Sequence, residues 1–263
     1  MASKKKGSAL VVLSGGQDSV TCLYWALLKY EWVEAVTFNY GQKHSREIGS
    51  AIYVAELAGV QHEVVDVPGI LRSSSPLTDP TAQLEKYENF EQMEKVIGNR
   101  VELTFVPMRN AFFLTLAANY ALSKGIRTLV TGVCQEDNAN YPDCRQSFIN
   151  SQVRTINLAL GIKDFKIVTP LMNMSKAGTV LFSLDLPGAY KALGYSHTSY
   201  DGAYPPVDNN HSNVLRAQGF LVAGVPDPLV LRAYHEGLMD LPNSPNYAPE
   251  LVQQYLQLAG LLS

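Results

Sequence analysis

Ala9-Leu10-Val11-Val12-Leu13-Ser14-Gly15-Gly16-Gln17-Asp18-Ser19 is an unbroken apolar run that ends abruptly in hydroxyls, two glycines and an acid. A short apolar run without polar alternation suits a strand buried on both faces of a parallel sheet. The paired glycines then allow a tight turn that side chains would obstruct. Val20, Leu23, Ala26, Leu27 and Tyr30 recur at helical spacing, and Val33 to Phe38 reads as a second strand. Strand, turn, helix and strand make a βαβ-like unit.

The alternation continues outward from this unit. The pattern predicts a helix from about Ser45 to Ala58 with Ile48, Ile52 and Ala55 on one face, then a strand from His62 to Val67. Pro68 to Glu102 contains Ser73-Ser74-Ser75-Pro76 and Thr78-Asp79-Pro80 with little periodicity, and reads as a long excursion over the sheet edge. Helices follow over Arg109 to Ser123, Gln146 to Leu160 and Ser175 to Leu184, with strands at Arg127 to Val133 and Lys166 to Val168. From Tyr195 the pattern fades into loops, prolines and short helices. The predicted fold is α/β: a Rossmann-like parallel sheet flanked by helices over residues 1–194, with a small C-terminal extension over 195–263.

Composition narrows the function. The 263 residues are 46% hydrophobic, and 21 Lys plus Arg stand against 24 Asp plus Glu for a net charge of −3. No long block of one sign suggests a nucleic-acid tail, so a small soluble substrate is expected and direct nucleic-acid binding is not. Lys4, Lys5 and Lys6 read as a solvated terminus. Ala9 to Leu13 is too short for a signal-peptide core or a membrane span, and no anchor is visible. Cys22, Cys134 and Cys144 form no CxxC pair and are a poor count for a disulfide framework, which fits a reducing cytoplasm.

The loop after the first strand carries the chemistry. Without side chains at Gly15 and Gly16, several backbone N–H groups can converge on an anion, and the helix behind adds its positive end. Ser14 and Ser19 offer hydroxyls to phosphate oxygens, while Asp18 can hold magnesium directly or through water. An ordinary strand-to-helix turn uses similar residues. The Walker pattern GxxxxGK[ST] is absent, which argues against a standard P-loop NTPase.

Ser14 to Ser19, read as SGGQDS, resembles the PP-loop of N-type ATP pyrophosphatases, enzymes that break ATP between its α and β phosphates. Within that group the chain is similar to the 7-cyano-7-deazaguanine synthase family through Thr37-Phe38-Asn39-Tyr40-Gly41-Gln42-Lys43-His44, Phe105-Val106-Pro107-Met108-Arg109-Asn110 and Tyr141-Pro142-Asp143-Cys144-Arg145. The match extends through Pro170-Leu171-Met172 and Lys176 and covers most of residues 8–230. The resemblance implies an adenine nucleotide alpha hydrolase-like fold, with Leu13 and Ser14 to Ser19 holding ATP and magnesium. It implies that ATP adenylates 7-carboxy-7-deazaguanine, that ammonia gives the amide, and that a second ATP drives dehydration to the nitrile, with AMP and pyrophosphate released each time. A homodimer is expected from the resemblance alone.

Asp18, Arg109 and Lys176 are the candidate catalytic residues. A guanidinium at the start of a helix can grip phosphate or carboxylate in bidentate fashion, and a lysine can neutralise charge on departing pyrophosphate. Tyr141, Asp143 and Arg145 are the candidate substrate-binding residues, with Asp143 expected on the N–H edge of the guanine-like base. His44 binds nucleotide, orients the loop or is structural; spacing does not choose. Cys144 is not needed as a nucleophile, and Cys22 and Cys134 read as core packing.

One departure stands out. The family resemblance implies four C-terminal zinc cysteines, and alignment on Tyr200-Asp201-Gly202 and Leu215-Arg216-Ala217-Gln218-Gly219-Phe220 puts Ser199, Val207, Asn210 and Asn213 at those positions. Valine and asparagine cannot replace thiolates around zinc, so a metal-free subdomain held by packing or by a partner subunit is expected. His197, Asp208 and His211 lie nearby without forming a dense ligand set. Gln135 and Glu136, and Met108 in place of glycine, also depart from the family pattern and loosen the expectation about substrate. An enzyme that stops at the amide, one that conjugates the acid to a macromolecule, and a non-catalytic nucleotide-binding module remain as alternatives.

Overall fold

The computed structural model describes residues 7–41, 46–67, 69, 71–79, 81–135, 139–199 and 202–262. The expectations at Lys4 to Lys6, Gln42 to Ser45, Glu136 and Tyr200-Asp201 lie outside these residues. Five strands, β1 (Ser8–Val12), β2 (Trp32–Asn39), β3 (Gln61–Asp66), β4 (Thr128–Val130) and β5 (Lys166–Val168), pair in the order β3-β2-β1-β4-β5. Every neighbouring pair is parallel. The chain works outward from β1 to β3, then returns to the far side of β1 to place β4. The order therefore reverses between β1 and β4, and the crevice beyond their carboxyl ends is where such sheets bind ligands.

Strand alternation assigns the two faces. Ala9, Val11 and Leu13 pack with Val20 and Leu23 of α1 (Gln17–Lys29), Val180 of α6 (Lys176–Leu184) and Leu193 of α7 (Ala189–Leu193). Leu10 points the other way, into a cluster with Val36, Phe38, Ala117 and Ala121 of α4 (Arg109–Ser123) and Ile156 of α5 (Gln146–Leu160). The sequence-based α/β architecture is observed, and α4, α5 and β5 have the bounds that their patterns predict.

Three local expectations are corrected. Helix α2 (Arg46–Ala58) buries Ala51, Val54 and Ala55, whereas Ile52 is 40% exposed. The reason is a close approach: a Cβ at Gly15 would sit 2.3 Å from Glu47 O and 2.9 Å from Ala51 N, so the docking face must be small. The 68–102 excursion contains α3 (Phe90–Ile97), capped by Asn89 accepting from Gln92 N and ended by Gly98 at φ 53°. Its Met93 and Ile97 pack with Tyr87 and with Leu215 of the helix that begins at His211, so this part of the segment lies against the C-terminal region. Beyond Tyr195, α8 (His211–Ala223) is 13 residues long, and α9 (Pro228–His235) and α10 (Pro249–Leu258) follow it. Phe220 of α8 joins the core built on β1.

Ser199, Asn210 and Asn213 meet as a buried hydrogen-bonded knot. Asn210 Oδ1 accepts from Asn213 N and from Ser212 Oγ, Asn210 Nδ2 donates to Ser199 Oγ, and Asn213 Nδ2 donates to Asp208 Oδ1 at 2.7 Å. Ser199 Oγ also donates to Asp208 Oδ2. Val207 is 64% exposed and takes no part. Beside the knot, Arg216 grips Asp227 through Nε and Nη2 at 2.6 and 2.8 Å, with both residues buried. Among the described residues no group of three or more His, Cys, Asp or Glu could hold a metal ion, and no single helix is long and apolar enough to cross a membrane.

Candidate active site

A cavity of about 310 Å³ opens at the β1/β4 switch point. Its floor is the turn after β1. Gly15 holds φ +89°, a conformation suited to glycine, and its carbonyl accepts from His197 N at 2.9 Å. Ser14 Oγ donates to Ser19 Oγ, which donates to Gly16 O, while Ser14 N donates to Ser19 Oγ. The two hydroxyls thereby brace the loop on the first turn of α1. Across the crevice, Gly132 follows β4, and a Cβ there would meet Asp18 C at 2.9 Å and Ser19 N at 3.0 Å. Glycine on both strands lets the backbone walls come close.

Leu13, Ser14, Gly16, Gln17, Asp18 and Ser19 line the cavity together with Arg109 and Lys176. Lys176 Nζ donates to Asp18 Oδ2 at 2.8 Å. Its stem lies on α8, where Gly219 leaves space: a Cβ at 219 would fall 2.6 Å from Lys176 Cγ. Gln17 is 5% exposed, and its Nε2 lacks a hydrogen-bond partner among the described residues. A buried amide donor on a glycine-rich loop that lines the cavity fits a phosphate-bearing ligand.

Arg109 begins α4 opposite the loop and hydrogen-bonds Tyr40, with Glu47 and Asp143 within electrostatic reach. Burial drives the Glu47 carboxyl up to about 7, opposed by Arg109. Burial likewise raises Asp143, against Arg109 and hydrogen bonds from Asn110. Of the three substrate-binding candidates, only Tyr141 lines the cavity. Its hydroxyl donates to Glu102 Oε2 at 3.3 Å and lies against Thr104 Oγ1. Asp143 is buried behind the wall, where Asn110 N donates to it at 3.4 Å, and Arg145 is exposed and outside the cavity.

Another wall comes from the C-terminal region, as His197, Thr198, His211, Ser212, Leu215 and Arg216. Sequence patterns gave these no site role, nor any to Glu47, Asn110 or Gly132. Glu47 lies three residues beyond the His44 motif, the one local signal available.

The model for the family described as "Queuosine biosynthesis protein QueC" matches residues 8–224.

The chain belongs to the QueC family.

Its curated relatives include a 7-cyano-7-deazaguanine synthase from Chromobacterium violaceum, 46% identical over 231 residues, covering 87% of this chain and 95% of that protein. Another from Laribacter hongkongensis is 44% identical over 225 residues, covering 85% and 94%. Among solved structures, NMN synthetase from Francisella tularensis aligns over 98% of this chain and 85% of that one at 13% identity, with a TM-score of 0.42. The chain is a QueC-family enzyme whose cavity lies wholly within the matched residues.

Proposed function

We propose that this QueC-family member converts 7-carboxy-7-deazaguanine and ammonia to 7-cyano-7-deazaguanine through two ATP-dependent, AMP-forming activations. The observation that carries this reading is the meeting of the Ser14 to Ser19 loop, Asp18, Lys176 and Arg109 around one cavity. A carboxylate is a poor electrophile; adenylation gives it a leaving group, and amide formation then expels AMP.

In this reading the backbone of Leu13 to Ser19 and the Gln17 amide hold the phosphates. Lys176 moves from Asp18 to the departing pyrophosphate, where its charge offsets the developing negative charge. Asp18 is the residue that would hold magnesium, which screens phosphate charge when bound. Arg109 binds the α-phosphate or the substrate carboxylate, with Tyr40 and Asp143 fixing its direction. Tyr141 faces the deazapurine ring, Asp143 acts through Arg109 and Asn110, and Arg145 stands at the outer rim. Residues 1–194 form the nucleotide-binding unit, and 195–263 are the zinc-free counterpart of the family's zinc-binding region. The setting is a cytoplasmic enzyme with small-molecule substrates, working as a homodimer.

Mass spectrometry of the purified protein with ATP, magnesium, ammonium and 7-carboxy-7-deazaguanine, with AMP followed in parallel, tests the reading. A nitrile with AMP is expected. An amide as the final product would mean a reaction that ends one activation early, and absence of AMP would overturn the proposal.

A further inference from the structure

His211 is the first residue of α8 and is 4% exposed, yet it lines the cavity. Neither ring nitrogen has a hydrogen-bond partner among the described residues. Buried polar groups in folded proteins are almost always satisfied, and an imidazole with two unmatched nitrogens is doubly anomalous. Packing alone would be better served by an apolar ring. The anomaly disappears if both nitrogens are matched by a bound molecule.

The placement of the ring says which part of a ligand it meets. His211, Leu215 and Gly219 follow one another at four-residue spacing and share a face of α8. Gly219 receives the stem of Lys176, and Leu215 also lines the cavity, so this face looks toward the phosphate loop. The ring lies within electrostatic reach of Lys176 and also of Glu102, the carboxylate that accepts from Tyr141. It therefore stands between the end of the cavity assigned to phosphates and the end assigned to the deazapurine acid.

We propose that His211 is a substrate-binding residue that hydrogen-bonds the acyl end of the substrate, where the carboxyl carbon meets the α-phosphate. This rests on the reading given under Proposed function. Burial pulls the imidazole toward its neutral form, with Glu102 opposing and Lys176 reinforcing that shift. A neutral imidazole carries one N–H donor and one acceptor nitrogen. The two nitrogens face different directions, so the N–H donates to the acyl oxygen of the acid while the second nitrogen accepts from a separate donor of the bound ligands. A protonated ring would offer two donors and lose the acceptor side.

The test compares steady-state kinetics of His211→Ala, His211→Phe and His211→Asn with the unaltered protein, and records histidine ring spectra in ¹⁵N-histidine-labelled protein. His211→Asn keeps one donor and one acceptor near the same place, whereas His211→Phe keeps the ring and removes both nitrogens. Ala and Phe are expected to raise KM for the deazapurine acid by about tenfold while KM for ATP moves by less than about twofold, and Asn to recover most of the loss. The His211 resonances, identified by their disappearance in His211→Asn, should shift when the acid is added. Unchanged acid KM in the Phe variant, an Asn variant no better than Ala, or His211 resonances unmoved by the acid would each overturn the inference. An unaltered protein that forms no AMP with the acid would instead overturn the reaction assignment.

Discussion

Lys176 Nζ donates to Asp18 Oδ2 at 2.8 Å across 158 residues of sequence, joining the first turns of α6 and α1 at the mouth of the β1/β4 crevice. The pair sets a cation and an anion together at the edge of the cavity, where the proposed function puts the polyphosphate. Asp18→Ala should lower AMP formation by at least about a hundredfold, within the range seen when a preorganised charge is removed. The melting temperature should stay within a few degrees, because both side chains are partly exposed, at 13% for Lys176 and 23% for Asp18. Retained turnover would remove Asp18 from the proposed magnesium site.

Gly15→Ala addresses the loop itself. An alanine at φ +89° is strained, and its Cβ would strike Glu47 O at 2.3 Å. The variant should lose about 2 kcal/mol or more of stability, since α2 must move away from the turn. Calorimetry checks this, and an unchanged melting temperature would mean that the α2 approach is looser than described.

Glu47 makes stability depend on pH. Its carboxyl is raised from 4.5 to about 7 by burial, so the folded chain binds a proton that the unfolded chain has already released. Stability should fall as pH rises from about 4.5 to about 7 and then level off, because the folded state holds more protons throughout that window. Glu47→Gln should flatten this part of the profile. Urea melts of both proteins at pH 5, 6 and 7.5 make the comparison.

Arg216 and Asp227 form a buried bidentate pair, and Asp227 also caps α9 by accepting from Leu229 N. Asp227→Ala would leave a guanidinium buried beside the cavity wall and remove a helix cap. A loss of about 3–5 kcal/mol is expected by denaturant titration.

Asn210 is fully buried, caps α8 and joins Ser199 to Asn213. Asn210→Ala should cost about 1–3 kcal/mol, and chelation with EDTA should leave the melting temperature of the unaltered protein unchanged. A fall on chelation would show that a metal helps to hold this region.

Much of the sheet was legible because its signals are local. Ala9 to Leu13 carries its own burial pattern, and Ser14 to Ser19 announces a turn and a helix within six residues. Where the pattern misled, a tertiary contact decided. Ile48 and Ile52 are more apolar than Ala51, but the approach of Gly15 admits only the smaller side. The cues for α3 were present as Asn89, Gln92, Phe90, Met93, Ile97 and Gly98, hidden within a stretch of turn residues. Tyr141 reaches the cavity and Arg145 does not, a difference of a few residues along one loop that composition cannot resolve. His211 was illegible as a site residue because its setting depends on α8 returning to the carboxyl edge of β1.

The wall from His197 to Arg216 also sets a time order on synthesis. The Ser14 to Ser19 loop leaves a ribosome before β4 and Lys176. His211 and Arg216 emerge last of the lining residues. A nascent chain can present the glycine turn long before it has anything to close over it. The cavity is thereby completed only when nearly the whole matched region has been made, and a chain that ends before α8 would carry the glycine turn without the wall that faces it.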